Sequence, residues 1–287
     1  MIATQPATTS PKGDSKSAAA ARRAMAKPNR HVVFRIRRCD GPGKASYWQE
    51  FRVQVPPKAN VISCLQRIAA EPVTTDGTRV TPVAWDAGCL EEVCGACTMV
   101  INGKVRQSCS CLMDEYAPSE GDTITLEPMS KFPVVRDLWV DRSRMFEALK
   151  RVKAWVPIDG TYDLGSGPTE TPEAQQARYA MSECMSCGCC LEACPQFTLE
   201  ADESKWDTAF VGAAAISQAR LFNDHPTGRA LKGERLEALM GPGGVSDCGN
   251  AQNCVKVCPK HIPLTESIAS IGRQVTLHSI ASFFRGR

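Results

Sequence analysis

The N-terminal third of the chain alternates apolar and polar residues in the manner of β-strands. The segments His31–Arg38 and Tyr47–Val55 place apolar side chains at alternate positions, and the turn sequence Gly41–Gly43 lies between them. The segment Val61–Ala70 then repeats its apolar residues at helical spacing, and Asn60 precedes it as an N-cap. The pattern therefore predicts two strands followed by one amphipathic helix.

Two further features extend this sheet. Residues 98–108 have the pattern of a strand, an Asn102-Gly103 turn and a second strand, because Asn-Gly is a typical two-residue hairpin turn. Residues Thr123–Glu127 supply a last strand. These elements predict a small mixed sheet wrapped on one helix, which is the β-grasp arrangement of plant-type ferredoxins. The segment Pro128–Asp137 is predicted to be a linker.

Almost all of the chain beyond this linker has helical spacing. Thr171 and Pro172 provide an N-cap followed by proline at the first helical position. The other predicted helices are Arg142–Lys153, Ala209–Phe222, Gly228–Met240 and Leu264–Leu277. We therefore predict an α+β protein, with a β-grasp plant-type ferredoxin domain at residues 31–137 and an all-α, bacterial-ferredoxin-like domain at residues 138–287.

The first 30 residues differ from the rest in composition. They are rich in Ala, Thr, Ser and Pro, lack apolar periodicity and carry a net charge of +5. We predict a disordered basic tail at residues 1–30, with an organellar transit peptide as the alternative. Because the whole chain carries +3, residues 31–287 carry −2, which gives no indication of nucleic-acid binding. The apolar stretches are too short to span a bilayer, so we expect any membrane contact to run through another chain.

The chain has 15 cysteines, and their spacing indicates iron–sulfur chemistry. Residues 184–194 have the spacing C-x₂-C-x₂-C-x₃-C and precede Pro195, as in bacterial ferredoxins, where the fourth cysteine serves a second cluster. The spacing recurs at residues 248–259, with Ala251 where the second cysteine would be. Pairing across the two runs gives four thiolates for a [4Fe–4S] cluster, namely Cys184, Cys187, Cys190 and Cys258. It gives three for a [3Fe–4S] cluster, namely Cys194, Cys248 and Cys254.

A third constellation lies upstream. Cys89, Cys94 and Cys97 have the C-x₄-C-x₂-C spacing of plant-type [2Fe–2S] ferredoxins, and Cys109 follows as the fourth ligand. The predicted hairpin would return Cys109 to this loop. Cys111 is the competing ligand, because a residue two positions along a strand points the same way. Gly88 and Gly95 are expected to let the backbone approach the sulfurs and donate N–H bonds to them.

Zinc and disulfides are the alternatives for these cysteines. Zinc uses four ligands per site and rarely draws on a run of this kind. Ligand-spaced cysteines in a chain without a signal peptide favour metal over disulfide bonds. Cys39, Cys64 and Cys189 are left over; the first two fall on apolar-periodic segments and are predicted core residues, and Cys189 is predicted to turn away from the cluster.

The chain lacks the usual motifs of a substrate site. It contains no G-x-G-x-x-G or G-x₄-G-K-[ST] sequence, and none of its four histidines accompanies a nucleophile arrangement. His261, which follows the second cysteine run, is predicted to be a surface residue. Three cluster motifs without a substrate motif indicate an electron conduit within a larger enzyme.

Over about residues 31–280 the chain resembles a known family. The motifs C-L-E-E-V-C-G-A-C at 89–97, C-M-S-C-G-C-C-L-E-A-C-P at 184–195 and C-G-N-A-Q-N-C-V-K-V-C-P at 248–259 resemble those of the iron–sulfur subunit of succinate dehydrogenase and fumarate reductase. The resemblance implies a flavoprotein partner with FAD and a membrane-anchor cytochrome b subunit with heme b. It also implies electron passage from FAD through the [2Fe–2S], [4Fe–4S] and [3Fe–4S] clusters to a quinone, at the cytoplasmic face of the cell membrane.

The sequence departs from the ubiquinone-reducing members of that family. Those members place a tryptophan pair shortly after the cysteine that matches Cys194 and a histidine after the one that matches Cys248, whereas this chain has Gln196-Phe197 and Gly249 there. It resembles instead the menaquinone-linked branch with a diheme anchor, which implies menaquinone as the acceptor. A fumarate reductase that runs the reaction in reverse, and an electron-transfer module for another flavoprotein dehydrogenase, are the alternatives.

Overall fold

A computed structural model of the protein describes residues 29–157 and 167–285. The predicted disordered tail, residues 1–30, lies outside the described residues except for its last two positions. Arg30, assigned above to the tail, begins the first strand, is buried, and forms an ion pair with Asp114 at 2.9 Å.

The N-terminal part forms a five-stranded mixed sheet in the order β2-β1-β5-β3-β4. Strand β1 pairs antiparallel with β2 and parallel with β5, while β3 pairs antiparallel with both β4 and β5. The strands are β1 Arg30–Arg38, β2 Tyr47–Val55, β3 Thr98–Ile101, β4 Lys104–Gln107 and β5 Thr123–Glu127. Two helices accompany them, α1 Val61–Ala70 and α2 Met113–Tyr116.

These elements confirm the sequence pattern closely. Strand β2 and helix α1 have the predicted bounds, and Asn60 caps α1 through a reciprocal hydrogen-bonded box with Ser63. The alternation in β1 places Val32, Phe34 and Ile36 in the core, where each is 0% exposed. The mixed sheet on one helix is therefore present.

The following part is mainly helical. Its helices are α3 Ser143–Arg151, α4 Pro172–Ser182, α5 Cys189–Glu192, α6 Gly212–Asp224, α7 Lys232–Met240, α8 Asn253–Lys256 and α9 Leu264–Phe284. Short 3₁₀ turns occupy Glu203–Lys205, Gly228–Leu231 and Val245–Asp247. Helix α6 lies at the centre of this helical part and contacts several of its other helices. Its small residues Ala213–Ala215 are buried and allow those helices to approach closely.

Two predictions need correction at the junction between the parts. Residues 128–137 do not form a simple linker, since Met129 and Phe132 are buried in the second core. A two-stranded sheet, β6 Val134–Arg136 with β7 Trp139–Val140, also crosses the predicted boundary. The second part is therefore not wholly α-helical. The proline and turn residues of this segment favour a linker, but burial of the Phe132 side chain in the second core stabilises a packed conformation instead.

Candidate metal centres

A buried ion pair positions the segment that leads into the first cysteine loop. Arg38 and Asp137 are both 0% exposed, and the Arg38 Nε donates to the Asp137 carboxylate at 2.7 Å. The same carboxylate accepts the backbone N–H of Ala84 at 2.9 Å, and Arg38 donates to the carbonyl of Thr81 at 3.1 Å. Sheet and junction thus hold residues 81–84 in place five residues before Cys89.

The first cysteine loop aims backbone N–H groups at sulfur. The Cys89 sulfur accepts from the N–H groups of Glu91, Val93 and Cys94 at 3.2–3.4 Å. These donors lower the pKa of Cys89 to about 7, since they favour the charged thiolate. Leu90 lies in the left-handed region at φ +62°, which is uncommon outside glycine and bends the loop around the sulfur.

A second sulfur in this loop is held in the same way. Cys94 accepts from the N–H groups of Cys89 and Ala96 at 3.3 and 3.4 Å. Gly88 lies against it, because a Cβ there would sit 3.1 Å from the Cys94 sulfur. Gly88 therefore permits the close approach that the sequence predicted.

The structure separates the two candidates for the fourth ligand. The Cys97 sulfur accepts the backbone N–H of Cys109 and lies beside the Cys109 sulfur; burial raises the pKa of Cys97 to about 12. Cys111 lies past a turn, is 1% exposed and faces Cys64 in the first core, where burial raises its pKa to about 12. The expectation that the two residues share a strand face was wrong, because strand β4 ends at Gln107. Cys109 thus lies beside the cysteine loop and Cys111 does not.

The two later cysteine runs have the same backbone conformation. Ser186 and Asn250 occupy matching positions and have φ of +50° and +53°. Two residues further, Gly188 and Gln252 are also left-handed, at φ +84° and +60°. A four-residue helix then begins in each run, α5 in the first and α8 in the second. The repeat seen in the spacing of the cysteines is therefore also a repeat of the fold, with Ala251 at the position of Cys187.

The four cysteines of the predicted [4Fe–4S] set lie together. Cys184, Cys187, Cys190 and Cys258 line one small cavity, with Pro259 and Ala214 on its wall. Burial raises the pKa of Cys190 well above its ordinary value, and the neighbouring thiolates of Cys187, Cys184 and Cys258 raise it further. The pKa of Cys187 is instead lowered, to about 7, and the neighbouring Cys189 thiol is the largest cause.

The three cysteines of the other set also lie together. Burial raises the pKa of Cys254, and the nearby Cys194 and Cys248 thiolates add to this. The two runs interlock here, since Asn253 donates to the carbonyl of Ala193 at 3.1 Å. Ala251 is exposed.

The first loop packs directly on the second cysteine site. A Cβ on Gly95 would lie 2.6 Å from the Cys187 Cα, so only glycine fits there. The Gly95 carbonyl accepts from Arg142 at 2.9 Å and from the Thr98 hydroxyl at 2.8 Å. The sequence prediction for Gly95 was therefore incomplete: the glycine is required where the two cysteine sites meet. Arg142 was missed because a lone arginine before a helix carries no local signal.

The residues fit iron–sulfur clusters by their chemistry. Each of the two later sets gathers thiols that repel one another once ionised, as does the pair Cys97 and Cys109, and bound cations relieve such repulsion. The N–H groups directed at Cys89 and Cys94 are the kind of donors that surround cluster sulfurs. Among the residues described, no three His, Cys, Asp or Glu side chains converge on one ion. The corner irons of a cube each bind a different thiolate, so its ligands do not meet at one point.

The remaining candidates occupy structural positions. Cys39 and Cys64 are buried in the first part, as predicted, and His261 is exposed. Cys189 is 0% exposed, accepts a hydrogen bond from Gln107 and lines the cavity of the predicted [4Fe–4S] set, so the prediction that it turns away from this site was wrong. None of the described helices has the length and hydropathy needed to cross a bilayer.

Comparison with known proteins agrees with this geometry. Residues 33–147 match the model of a 2Fe-2S iron-sulfur cluster binding domain, and residues 179–262 match that of a 4Fe-4S dicluster domain. The succinate dehydrogenase iron-sulfur subunit of Bacillus subtilis (strain 168) is 55% identical over 88% of this chain and 96% of its own length. The fumarate reductase iron-sulfur subunit of Wolinella succinogenes is 27% identical over 86% of this chain and 98% of its own.

A solved structure shares the fold. A chain of the Mycobacterium smegmatis Sdh1 complex in the apo form superposes with a TM-score of 0.69 at 23% identity, covering 86% of this chain and 96% of that one. Two cluster-domain matches lie in the order of the cysteine sites, and a relative matches at 55% identity over nearly its whole length. The chain therefore belongs to the family of iron–sulfur subunits of succinate dehydrogenase and fumarate reductase.

Proposed function

We propose that this chain carries electrons within a succinate:quinone oxidoreductase, from the FAD of a flavoprotein subunit to a quinone at a membrane-anchor cytochrome b subunit with heme b. The observation that carries the proposal is the grouping of the ligand-spaced cysteines. Cys89 lies beside Cys94, Cys97 lies beside Cys109, and the later cysteines form a group of four and a group of three. Gly95 of the first loop packs on Cys187 of the group of four. Clusters bound there would supply one-electron carriers whose potentials depend on cluster type, charge and hydrogen bonds to sulfur.

The ligand sets follow from these positions. Four thiolates would hold a [2Fe–2S] cluster, namely Cys89, Cys94, Cys97 and Cys109. Four would hold a [4Fe–4S] cluster, namely Cys184, Cys187, Cys190 and Cys258. The remaining three, Cys194, Cys248 and Cys254, would hold a [3Fe–4S] cluster, since Ala251 offers no sulfur at the fourth position. The shared backbone conformation of the two runs supports this last assignment.

The surface around the first loop supports docking of a flavoprotein there. Leu90 and Val93 lie near the tip of the loop, and their side chains are 47% and 58% exposed. Two exposed apolar side chains beside a predicted cluster site are a suitable contact for a partner that delivers electrons. We place the [3Fe–4S] end toward the anchor, at the cytoplasmic face of the cell membrane.

Succinate oxidation is the proposed direction. The succinate dehydrogenase relative shares 55% identity, whereas the Wolinella fumarate reductase relative shares 27%. Menaquinone is the proposed acceptor, because the chain has Gln196-Phe197 where ubiquinone-linked members have tryptophans. Phe197 is 0% exposed and lies beneath the Arg144 guanidinium at 4.0 Å, so it belongs to the core and is not available to a quinone.

We further propose that the chain has two domains, with the boundary near residue 137. Buried residues of the first core extend to Leu138, and those of the second begin at Met129. The two cores therefore overlap along the chain, which supports two units joined tightly through residues 129–138.

Purification of the native complex tests the proposal. We expect this chain to co-purify with covalently bound FAD and b-type heme, and the oxidised complex to show a [3Fe–4S] EPR signal. The complex should reduce a menaquinone analogue with succinate faster than it reduces fumarate with the quinol. A chain that purifies alone with its clusters would instead indicate an electron-transfer module for a different dehydrogenase.

A further inference from the structure

The outer side of helix α9 carries a stripe of exposed apolar side chains. Leu277 and Ile280 are 57% and 51% exposed, and Phe283 and Phe284 at the end of the helix are 79% and 81% exposed. Leu277, Ile280 and Phe284 follow one another at intervals of three or four residues, so they lie on one face of the helix. The rings of Phe283 and Phe284 contact each other in a T-shaped arrangement, with centroids 5.7 Å apart. The stripe is therefore continuous along the end of the helix.

The opposite side of α9 packs on the rest of the helical part. The helix contacts both α6 and α7, Ile271 is 0% exposed, and Val275 packs against the second core. Since this inner side is occupied, the helix can offer only its outer stripe to a partner. Large apolar side chains that cluster on a surface are typical of an interaction site, because covering them removes their contact with water.

The charge around the stripe is positive. Arg273 is exposed one turn before Leu277, and Arg285 is exposed directly after the phenylalanine pair. Residues 267–287 contain three arginines and no Asp or Glu, so their side chains carry +3 with His neutral. Residues 31–287 carry −2, and subtracting this +3 leaves −5 for residues 31–266. Positive charge is thus concentrated beside the apolar stripe, which favours an anionic partner surface.

Helix α9 also lies beside the predicted [3Fe–4S] site. It contacts α8, which contains Cys254, and the 3₁₀ turn Val245–Asp247, which directly precedes Cys248. A Cβ on Gly272 would lie 4.0 Å from the Val245 side chain. Because the proposed function places the [3Fe–4S] end toward the membrane anchor, α9 belongs to the end of the molecule that would face the bilayer.

We propose that the outer stripe of α9 lies in the headgroup region of an anionic bilayer, with Arg273 and Arg285 beside lipid phosphates. Phenylalanine and leucine on one face together with flanking arginines are typical of helices that bind in the plane of the membrane interface. Each arginine near an anionic surface strengthens such binding. The inference rests on the proposed function for the orientation of the molecule. The anchor subunit would hold the complex at the membrane, and α9 would add a direct lipid contact of this chain.

Tryptophan fluorescence of the reconstituted complex tests the lipid contact. Phe284→Trp places a fluorescent ring of similar shape at the exposed end of the stripe, and the wild-type complex gives the background from the native tryptophans. The complex is reconstituted in vesicles of phosphatidylcholine and phosphatidylglycerol, with or without bromine on the acyl chains. We expect the added emission to be blue-shifted and most of it to be quenched by the brominated lipid, because bromine quenches only on close approach.

Vesicle flotation of the full chain, purified with its clusters, tests which side chains bind. The double variant Phe283→Ser, Phe284→Ser should weaken binding to phosphatidylglycerol-containing vesicles by about tenfold or more. The double variant Arg273→Gln, Arg285→Gln should weaken that binding by about tenfold and leave the weaker binding to pure phosphatidylcholine vesicles unchanged. Tyr179→Ser is the matched control, since it removes a 52%-exposed aromatic ring from another helix and should leave binding unchanged.

Two results would overturn the lipid contact. One is added emission from Phe284→Trp that brominated lipid does not quench; a blue-shifted maximum would then show that a partner protein covers the stripe, and an unshifted one that water does. The other is flotation that neither double variant weakens more than Tyr179→Ser does. Failure of the proposed function is distinguishable from these, because it would appear as a wild-type complex without succinate–quinone activity.

Discussion

Replacing Gly95 by alanine should disturb the contact between the first two cluster sites. An alanine Cβ would lie 2.6 Å from the Cys187 Cα, 2.7 Å from its Cβ and 3.0 Å from the Met185 carbonyl oxygen. Ordinary contacts begin near 3.4 Å, so the loop or the cysteine run must move by close to an ångström. Gly95 also has φ +69°, a conformation that costs an L-residue about 1–2 kcal/mol.

Gly103 provides a matched control. It has nearly the same backbone conformation, φ +73°, but nothing lies within 4 Å of the place where its Cβ would be. Gly103→Ala should therefore cost only the backbone term, about 1–2 kcal/mol. Gly95→Ala should cost about 1–3 kcal/mol more, which is typical of overpacking. The difference between the two variants isolates the contact with Cys187.

Two measurements on the purified complex follow from this comparison. Thermal loss of the [2Fe–2S] EPR signal should shift by roughly 2–4 °C per kcal/mol, so the Gly95 variant should be clearly less stable than the Gly103 variant. Succinate–quinone activity should fall only in Gly95→Ala, while an artificial acceptor that takes electrons directly from the flavin should still be reduced. Equal stability and activity in the two alanine variants would show that the close approach at Cys187 has no consequence.

Three further predictions concern the ligands and the N-terminal residues. Cys109→Ser should perturb the [2Fe–2S] EPR signal and Cys111→Ser should leave it intact; loss of the signal in the Cys111 variant alone would reverse the assignment. Ala251→Cys supplies the missing thiolate at an exposed position, so the [3Fe–4S] signal of the oxidised complex should disappear and quinone reduction should slow, whereas an unchanged signal would mean that local geometry excludes the fourth iron. Deletion of residues 1–28 should leave cluster content and activity near wild type, and failure of the complex to assemble would contradict the tail prediction.

The sequence alone determined the individual strands and helices and the spacing of the cysteines. The bounds of strand β2 and helix α1, and the cap at Asn60, followed from apolar periodicity and short-range hydrogen bonding. These signals are local, because each involves residues within one turn or one strand of each other. The cysteine spacing is also a local signal, because the conformation of a ligand loop depends on residues within that loop. The fold of each cysteine run could therefore be anticipated from its sequence.

Only the tertiary structure decided how the sites meet. Gly95 lies on Cys187, Gln107 reaches Cys189, and Phe132 is buried in the second core, although nothing near any of these residues in sequence indicates its partner. The choice of Cys109 over Cys111 as the neighbour of the loop also depended on where strand β4 ends. Such contacts depend on packing between segments far apart in the chain, where burial and hydrogen-bond satisfaction outweigh local preference.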